Sequence, residues 1–223
     1  MKIQIKSWLA PEKINAGQQS RILFEVNTND AKSAIEIAVK NNVNLAKADL
    51  RNEDFRNANL EGACMGNACL KGADFRAVNL RHAYLVRADL EKAQLEGADL
   101  AHAKLWGARL QSANLENANL KHANLKHANL MLVNLKDANL RSTNLEEAEL
   151  KEAFLSGVNL KDAKLRGVNL VLAWLRNANL GGLNFAGADL RRVRLCDANL
   201  ENAKLRNADV QLGNLKKGAL PIC

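Results

Sequence analysis

A leucine recurs at every fifth position over most of this chain. The series begins at Leu45, continues without a slip to Leu220 and spans 36 positions. Only five positions depart from leucine, and each replacement is also apolar: Phe55, Met65, Phe75, Phe185 and Val210. The residue two positions before each leucine is mostly alanine, as in Ala48 and Ala113. The chain is therefore built from five-residue units, and this period limits the folds that it can adopt.

Neither an α-helix nor a long flat strand fits this period. In a helix, leucines five residues apart would point about 140° apart and could not form one buried stripe. In a flat strand, side chains alternate with period two, so an odd repeat would send successive leucines to opposite faces. An extended segment that holds Ala and Leu on one side, followed by a corner, satisfies the spacing. Four corners close a square, so the period predicts stacked coils of about twenty residues.

The individual units carry a recognisable motif. ADLEK at 88–92, ANLEN at 113–117 and ANLKH at 123–127 are direct examples. Over Val43 to Leu220 the sequence resembles the pentapeptide-repeat family, whose motif is A(D/N)LXX. The resemblance implies an all-β solenoid, a right-handed quadrilateral β-helix of about nine coils. The leucine and alanine columns would lie inside, and the other three positions of each unit would lie outside.

The residues before the repeats indicate a small cap. KIQIKSW at 2–8 and RILFEV at 21–26 are typical of strands, and 29–42 has the apolar spacing of an amphipathic helix with Asn29 or Asp30 as its N-cap. We expect this strand-and-helix cap to cover the open edge of the first coil. The predicted domains are a cap at 1–42, the β-helix at 43–220 and a short tail at 221–223.

Some positions break or extend the columns. Glu53, Leu183, Gly213 and Gly218 interrupt the alanine column and predict distortion or an end of the solenoid. On one outward column nearly every residue is asparagine, which predicts side-chain amides hydrogen-bonded from coil to coil: Asn59, Asn79, Asp99, Asn119, Asn139, Asn159, Asn179 and Asn199.

One corner replaces the expected polar residues with apolar ones. Phe154 and Trp174 occupy the motif's Asn/Asp position in neighbouring coils, and the preceding corner carries two apolar pairs, Met131 with Leu132 and Val171 with Leu172. We expect these six residues to lie together, with Arg191, Arg192 and Arg194 at their rim. Exposed aromatic residues beside arginine are typical of protein interfaces. The alternatives are that N-terminal residues or a dimer contact cover them, or that the corner bulges and turns them inward.

Two further sets of residues carry weaker predictions. The last coil has no following helix to cover it, which favours a homodimer through Leu212, Leu215, Leu220 and Ile222. His82, His102 and His122 share one column, and repeat duplication explains this better than a metal site does. We therefore expect no metal and no cofactor.

No motif indicates catalysis. GLNFAG at 182–187 has the glycine spacing of a phosphate loop, but Ala188 and Asp189 stand where Lys and Ser/Thr would be required. A filled solenoid also offers no cleft in which carboxylates could be desolvated. The four cysteines match no disulfide framework or CxxC pair and predict free thiols. The chain has neither a secretory leader nor a membrane span, so we expect a cytoplasmic protein.

The sequence leaves three functions open. The favoured one is a noncatalytic rod-like scaffold for a protein partner. The second is nucleic-acid binding, because the net charge is +8 and residues 191–217 hold seven cations and three acids. The third follows from the resemblance, since quinolone-resistance members of the family act on DNA gyrase as negatively charged mimics of DNA. The positive net charge disfavours that mimicry here.

Overall fold

The computed structural model describes residues 2–7 and 21–210. The chain begins with an antiparallel hairpin of β1 (Lys2–Lys6) and β2 (Ile22–Asn27), in which Ile3 pairs with Val26. Helix α1 follows at Ala31–Lys40. Of the two N-cap candidates, Asp30 is the cap, because its Oδ1 accepts a hydrogen bond of 2.7 Å from the Ser33 backbone N–H. These elements confirm the expected strands and helix.

The hairpin and α1 cover the first coil. The helix buries Ala34, Ile35 and Ala38, and the last two belong to the hydrophobic core of the solenoid. The Lys6 carbonyl accepts from the Asp49 N–H at 2.7 Å, and the Glu36 carboxylate accepts from the Asn59 N–H at 2.8 Å. Both N–H groups belong to the edge that the first coil would otherwise leave unpaired. The cap is therefore confirmed, whereas the domain boundaries after residues 42 and 220 stay predictions.

The repeats form square coils of twenty residues. Parallel one-residue bridges join nearly every described outward position to the position twenty residues later, as between Asn59 and Asn79. Within this pattern the Leu125 N–H donates to the Asn144 carbonyl at 2.8 Å, and the Asn124 N–H donates to the Ala103 carbonyl at 3.0 Å. The described residues make about eight such coils, and most of the ninth expected coil lies outside them.

Each corner has one demanding backbone position. The alanine N–H bonds to the carbonyl of the preceding leucine, as from Ala128 to Leu125 at 2.9 Å, and the second residue after every leucine has a left-handed backbone. This holds for the whole series from Asn42 to Asn207, with φ between 54° and 70°. Only glycine adopts such angles freely, and Asn, Asp and His tolerate them better than most residues. The left-handed backbone of the corner therefore explains why Gly, Asn, Asp and His are frequent at this position.

The interior is filled by the two apolar columns. Leu125 and Ala128 are fully buried, and Phe55 stacks on Phe75 with 5.2 Å between ring centroids. Thr143 stands in the alanine column and is also buried, because its Oγ1 donates a hydrogen bond of 2.9 Å to the Leu120 carbonyl. The predicted inward columns are confirmed from Leu45 to Leu195, apart from Glu53, whereas in the last described coil Leu200 and Leu205 are half-buried and Val210 is exposed.

The departures from the alanine column distort the coils as expected. Glu53 is exposed rather than inward. Leu183 is buried, and in the described ladder no bridge joins Lys164 to Asn184, the two outward positions beside it. A leucine is too large for the narrow alanine column, so it separates neighbouring coils. Gly213 and Gly218 lie outside the described residues.

The asparagine column forms the predicted amide contacts at several steps. Asn79 Nδ2 donates to Asn59 Oδ1 at 2.9 Å, and Asn139 Nδ2 donates to Asn119 Oδ1 at 3.2 Å. The same side chains also cap their own corners, because Asn139 Oδ1 accepts from the Arg141 N–H at 3.2 Å. Asparagine thus stabilises both the stack and the turn.

Two remaining features of the fold are the state of the cysteines and the character of the described helix. Cys64 is an exposed free thiol and Cys69 a buried one, and burial raises the pKa of the Cys69 thiol. Cys196 is disulfide-bonded, so the prediction of free thiols is wrong for that residue. Cys223 lies outside the described residues. In the described part of the chain, no helix has the length and apolar character to cross a membrane.

Candidate functional site

The six apolar residues predicted to cluster do lie on adjoining columns, and we call them the apolar corner: Met131, Leu132, Phe154, Val171, Leu172 and Trp174. Bridges place Phe154 directly between Asn134 and Trp174 in one outward column. The rings of Phe154 and Trp174 are 5.8 Å apart between centroids and tilted by 36°. The column therefore changes from asparagine to aromatic residues within one coil step.

These side chains are open to solvent. The exposed fraction is 43% for Leu132, 44% for Phe154 and 40% for Trp174. The other three members are half-buried. Neither a bulge nor any described part of the chain covers the two aromatic rings. Only the Lys151–Glu152 ion pair, at 3.5 Å, interrupts the corner.

Two leucines of the apolar corner occupy the left-handed backbone position. The φ angle is 58° at Leu132 and 61° at Leu172. An L-residue with a bulky side chain costs about 1–2 kcal/mol in that conformation, which asparagine or glycine would largely avoid. Both leucines are therefore present despite their effect on the backbone, and folding alone does not explain them.

The three arginines at the rim differ in their partners. Arg194 lies on the aromatic column itself, with its Cζ 3.9 Å from the centre of the Trp174 ring. Arg191 forms a two-pronged ion pair with Asp189, which holds the pKa of that carboxyl below its usual range. Arg192 is exposed and has no ion pair with any described residue. Arg192 and Arg194 are thus the cations best placed to meet a ligand.

The three histidines stack as a column. Ring centroids are 4.9 Å apart between His82 and His102 and 4.8 Å apart between His102 and His122. Stacked rings lie face to face, so their nitrogens do not converge on one point. Burial and the neighbouring imidazoles lower the pKa of His102. Within the described ranges, no group of three His, Cys, Asp or Glu residues is placed to hold a metal ion.

Sequence reasoning missed a second group of aromatic residues, the exposed Tyr84 and the half-buried Trp106. Arg87 lies over Trp106 with 4.8 Å from its Cζ to the ring centroid, and Lys104 Nζ lies 6.0 Å from the ring centroid of Tyr84. Aligning outward positions that lie twenty residues apart in the sequence would have placed these residues on the same and adjoining columns. The dimer candidates Leu212, Leu215, Leu220 and Ile222 lie outside the described residues, and the interface stays a prediction.

The coil geometry agrees with a family match. A model of pentapeptide repeats, in eight copies, matches residues 41–76, 73–111, 98–137, 134–170 and 173–211. This chain belongs to the pentapeptide-repeat family. The family fold is a right-handed quadrilateral β-helix, which confirms the predicted fold class and its handedness.

Three solved structures illustrate the likeness. HetL from the cyanobacterium Nostoc, a pentapeptide-repeat protein involved in heterocyst differentiation regulation, is 29% identical, with 77% of this chain and 91% of that chain covered and a TM-score of 0.40. Rfr23 from Cyanothece is 32% identical over 54% of this chain and 82% of its own, with a TM-score of 0.32.

The third structure is full-length QnrB1, a plasmid-mediated fluoroquinolone resistance protein. It is 22% identical, with 71% of this chain and 84% of that chain covered and a TM-score of 0.37. No protein among the curated sequences matches this chain. The family match, rather than any one of these structures, is what identifies the chain.

Proposed function

We propose that this pentapeptide-repeat protein is a noncatalytic, rod-like scaffold that binds a protein partner at the apolar corner. The observation that carries the proposal is the exposed ring pair of Phe154 and Trp174 in a column otherwise built from polar residues. A location in the cytoplasm belongs to the same proposal and stays a prediction.

Exposure of these apolar side chains has a cost in free energy. Burying apolar surface stabilises a protein by about 25 cal/mol for each Å² removed from water. At the apolar corner this surface stays in water in the folded chain, so a complex with a partner that covers it would be stabilised by the burial. Large aromatic residues beside arginine supply most of the binding energy in many protein interfaces. We therefore expect a partner with an apolar surface flanked by carboxylates that meet Arg192 and Arg194.

The test replaces the two rings with the residue that the column itself uses. The double variant Phe154→Asn, Trp174→Asn continues the pattern of Asn114 and Asn134, so it should fold as the wild type does. Tagged protein is used to capture partners from a lysate of the source organism, and captured proteins are compared by mass spectrometry. We expect the double variant to lose a partner that the wild type captures.

A matched control removes two aromatic residues from another face. Tyr84→Asn with Trp106→Ala should capture the same partner as the wild type, because both changes lie away from the apolar corner. If the Phe154 and Trp174 variant unfolds by circular dichroism, or if both double variants capture the same proteins, the apolar corner is not the binding site.

The proposal also includes a homodimer through the C-terminal coil, with Leu212, Leu215, Leu220 and Ile222 as the contact residues. Light scattering at micromolar concentration should then give about twice the chain mass of 24.4 kDa. A monomer at that concentration would contradict the dimer and leave the partner site unaffected.

A further inference from the structure

The outward columns of the solenoid differ sharply in charge. One column contains three lysines and no acidic residue: Asn44, Cys64, Tyr84, Lys104, Asn124, Asn144, Lys164, Asn184 and Lys204. The next column contains five acidic residues and one arginine: Asp49, Cys69, Asp89, Arg109, Asn129, Glu149, Asn169, Asp189 and Asp209. We call the first column, with the two corner columns on each side of it, the basic face.

The basic face holds twelve cations and five acids along the described coils. Three of these cations form ion pairs: Arg81 with Asp99, Arg141 with Asp162, and Lys126 with two glutamates. The other nine have no ion pair with any described residue: Lys47, Arg87, Lys104, Lys121, Lys161, Lys164, Arg166, Lys204 and Arg206.

Cations on the neighbouring faces behave differently. Arg51 and Arg191 each form a two-pronged pair with the aspartate two residues before, at 2.6–2.7 Å for the shorter bond, and Arg109 lies 3.5 Å from Asp89. There the outward column supplies a carboxylate beside the corner arginine. On the basic face the outward column supplies no carboxylate, so nine of the twelve cations have no ion pair with a described residue and their positive potential is not neutralised locally.

Aromatic rings lie among these cations. Tyr84 has an exposed fraction of 42%, and its neighbour in the column is Lys104. Trp106 follows on the adjoining corner beneath Arg87. All four histidines of the chain also lie on this face, three of them in the stack already described. Rings and cations therefore lie side by side on consecutive coils, which are about 4.8 Å apart.

From this arrangement we propose that the basic face binds single-stranded nucleic acid. Phosphates contact the unpaired lysines and arginines, and unstacked bases lie against Tyr84, Trp106 and the Arg87 guanidinium. A duplex could satisfy the cations, but its bases are stacked on each other and would leave the rings unused. An acidic protein would likewise use only the charges. The rings therefore favour a single strand.

The test measures binding of a fluorescent single-stranded oligonucleotide of about 20 nucleotides by anisotropy, across a series of salt concentrations. For single strands the logarithm of the binding constant falls with the logarithm of salt by about 0.7 for each phosphate contact. Lys104→Gln with Lys164→Gln should therefore reduce the slope by about 1.4. Tyr84→Asn or Trp106→Ala should weaken binding by about 5- to 150-fold, the value of one stacked base.

The matched control removes the same charge from the neighbouring face. Arg109→Gln with Arg191→Gln loses two cations that are ion-paired, so the salt slope should stay unchanged. The Phe154→Asn, Trp174→Asn variant should also bind the oligonucleotide as the wild type does, which separates this proposal from the protein-binding one. Circular dichroism confirms that each variant is folded.

Four results would overturn the inference. The first is that the wild type shows no salt-dependent binding, and the second is that the Lys and Arg double variants lose equal affinity for the oligonucleotide. The third is that removal of either ring leaves the affinity unchanged. The fourth is that poly-aspartate or a duplex of the same length competes as strongly as a single strand. The first excludes nucleic acid, and the others indicate general attraction of anions instead of a site for single strands.

Discussion

The inward and outward columns of the same coils follow different rules. Leu125 and Lys126 are adjacent in sequence, yet the first is fully buried in a column that is almost entirely leucine and the second belongs to a column that varies freely. Closing a square coil constrains the inward residues and the left-handed corner residue. The outward residues are released from that constraint. This difference indicates that the repeat determines the solenoid itself. Binding residues are expected where an outward column departs from its usual residue type.

The largest expected effect tests the inward side of the comparison. Leu125→Ala should lower the free energy of unfolding by about 2–5 kcal/mol, because the coils above and below cannot close the cavity it leaves. Chemical denaturation followed by circular dichroism measures the change. Lys126→Ala, one residue away, should change it by less than about 0.5 kcal/mol. Similar losses in the two variants would mean that the assignment of columns is wrong.

A smaller effect of opposite sign is expected at the apolar corner. Leu132→Asn should raise the free energy of unfolding by about 1 kcal/mol, because asparagine accepts the left-handed backbone that strains leucine. The control is Leu132→Ala, which removes the same exposed side chain but keeps a backbone that alanine tolerates poorly. If the two variants are equally stable, backbone strain does not distinguish this corner from the rest of the solenoid.

The smallest effect concerns an outward ion pair and disappears in strong acid. Hydrogen bonds from the Arg56 side chain lower the pKa of Asp54 from its ordinary 3.8 to about 2. The pair therefore stabilises the fold above pH 4, and the stabilisation is lost as the pH falls from about 4 to about 2. Asp54→Asn should lower the melting temperature slightly at pH 5, since exposed pairs contribute little.

The difference between this variant and the wild type should then become much smaller near pH 2, where the wild-type carboxyl is at its folded-state pKa and about half protonated. Melting curves at both pH values measure this. A difference between the two proteins that is the same at pH 5 and pH 2 would show that the carboxylate charge has no part in it.

Much of the fold follows from the sequence. The period of five excludes helix and flat strand, and it assigns the inward and outward positions of most units correctly from Leu45 to Leu195. It also brings Phe154 and Trp174 into one column, since only residues twenty apart can be stacked in a square coil. Periodicity works here because every coil repeats the same short-range geometry, so that local spacing and three-dimensional position are equivalent.

Only the tertiary structure decided how the outward side chains pair. The sequence placed Arg191, Arg192 and Arg194 together at a rim, yet Arg191 is neutralised by Asp189 and Arg194 lies on the Trp174 ring. Nor did the sequence reveal that Lys104 and Lys164 have no carboxylate partner, whereas Arg51 and Arg109 each pair with an aspartate. Long charged side chains choose partners by direction and reach, across coils as well as along the chain. A five-residue period fixes where each side chain begins, whereas the surrounding columns determine what its charged end contacts.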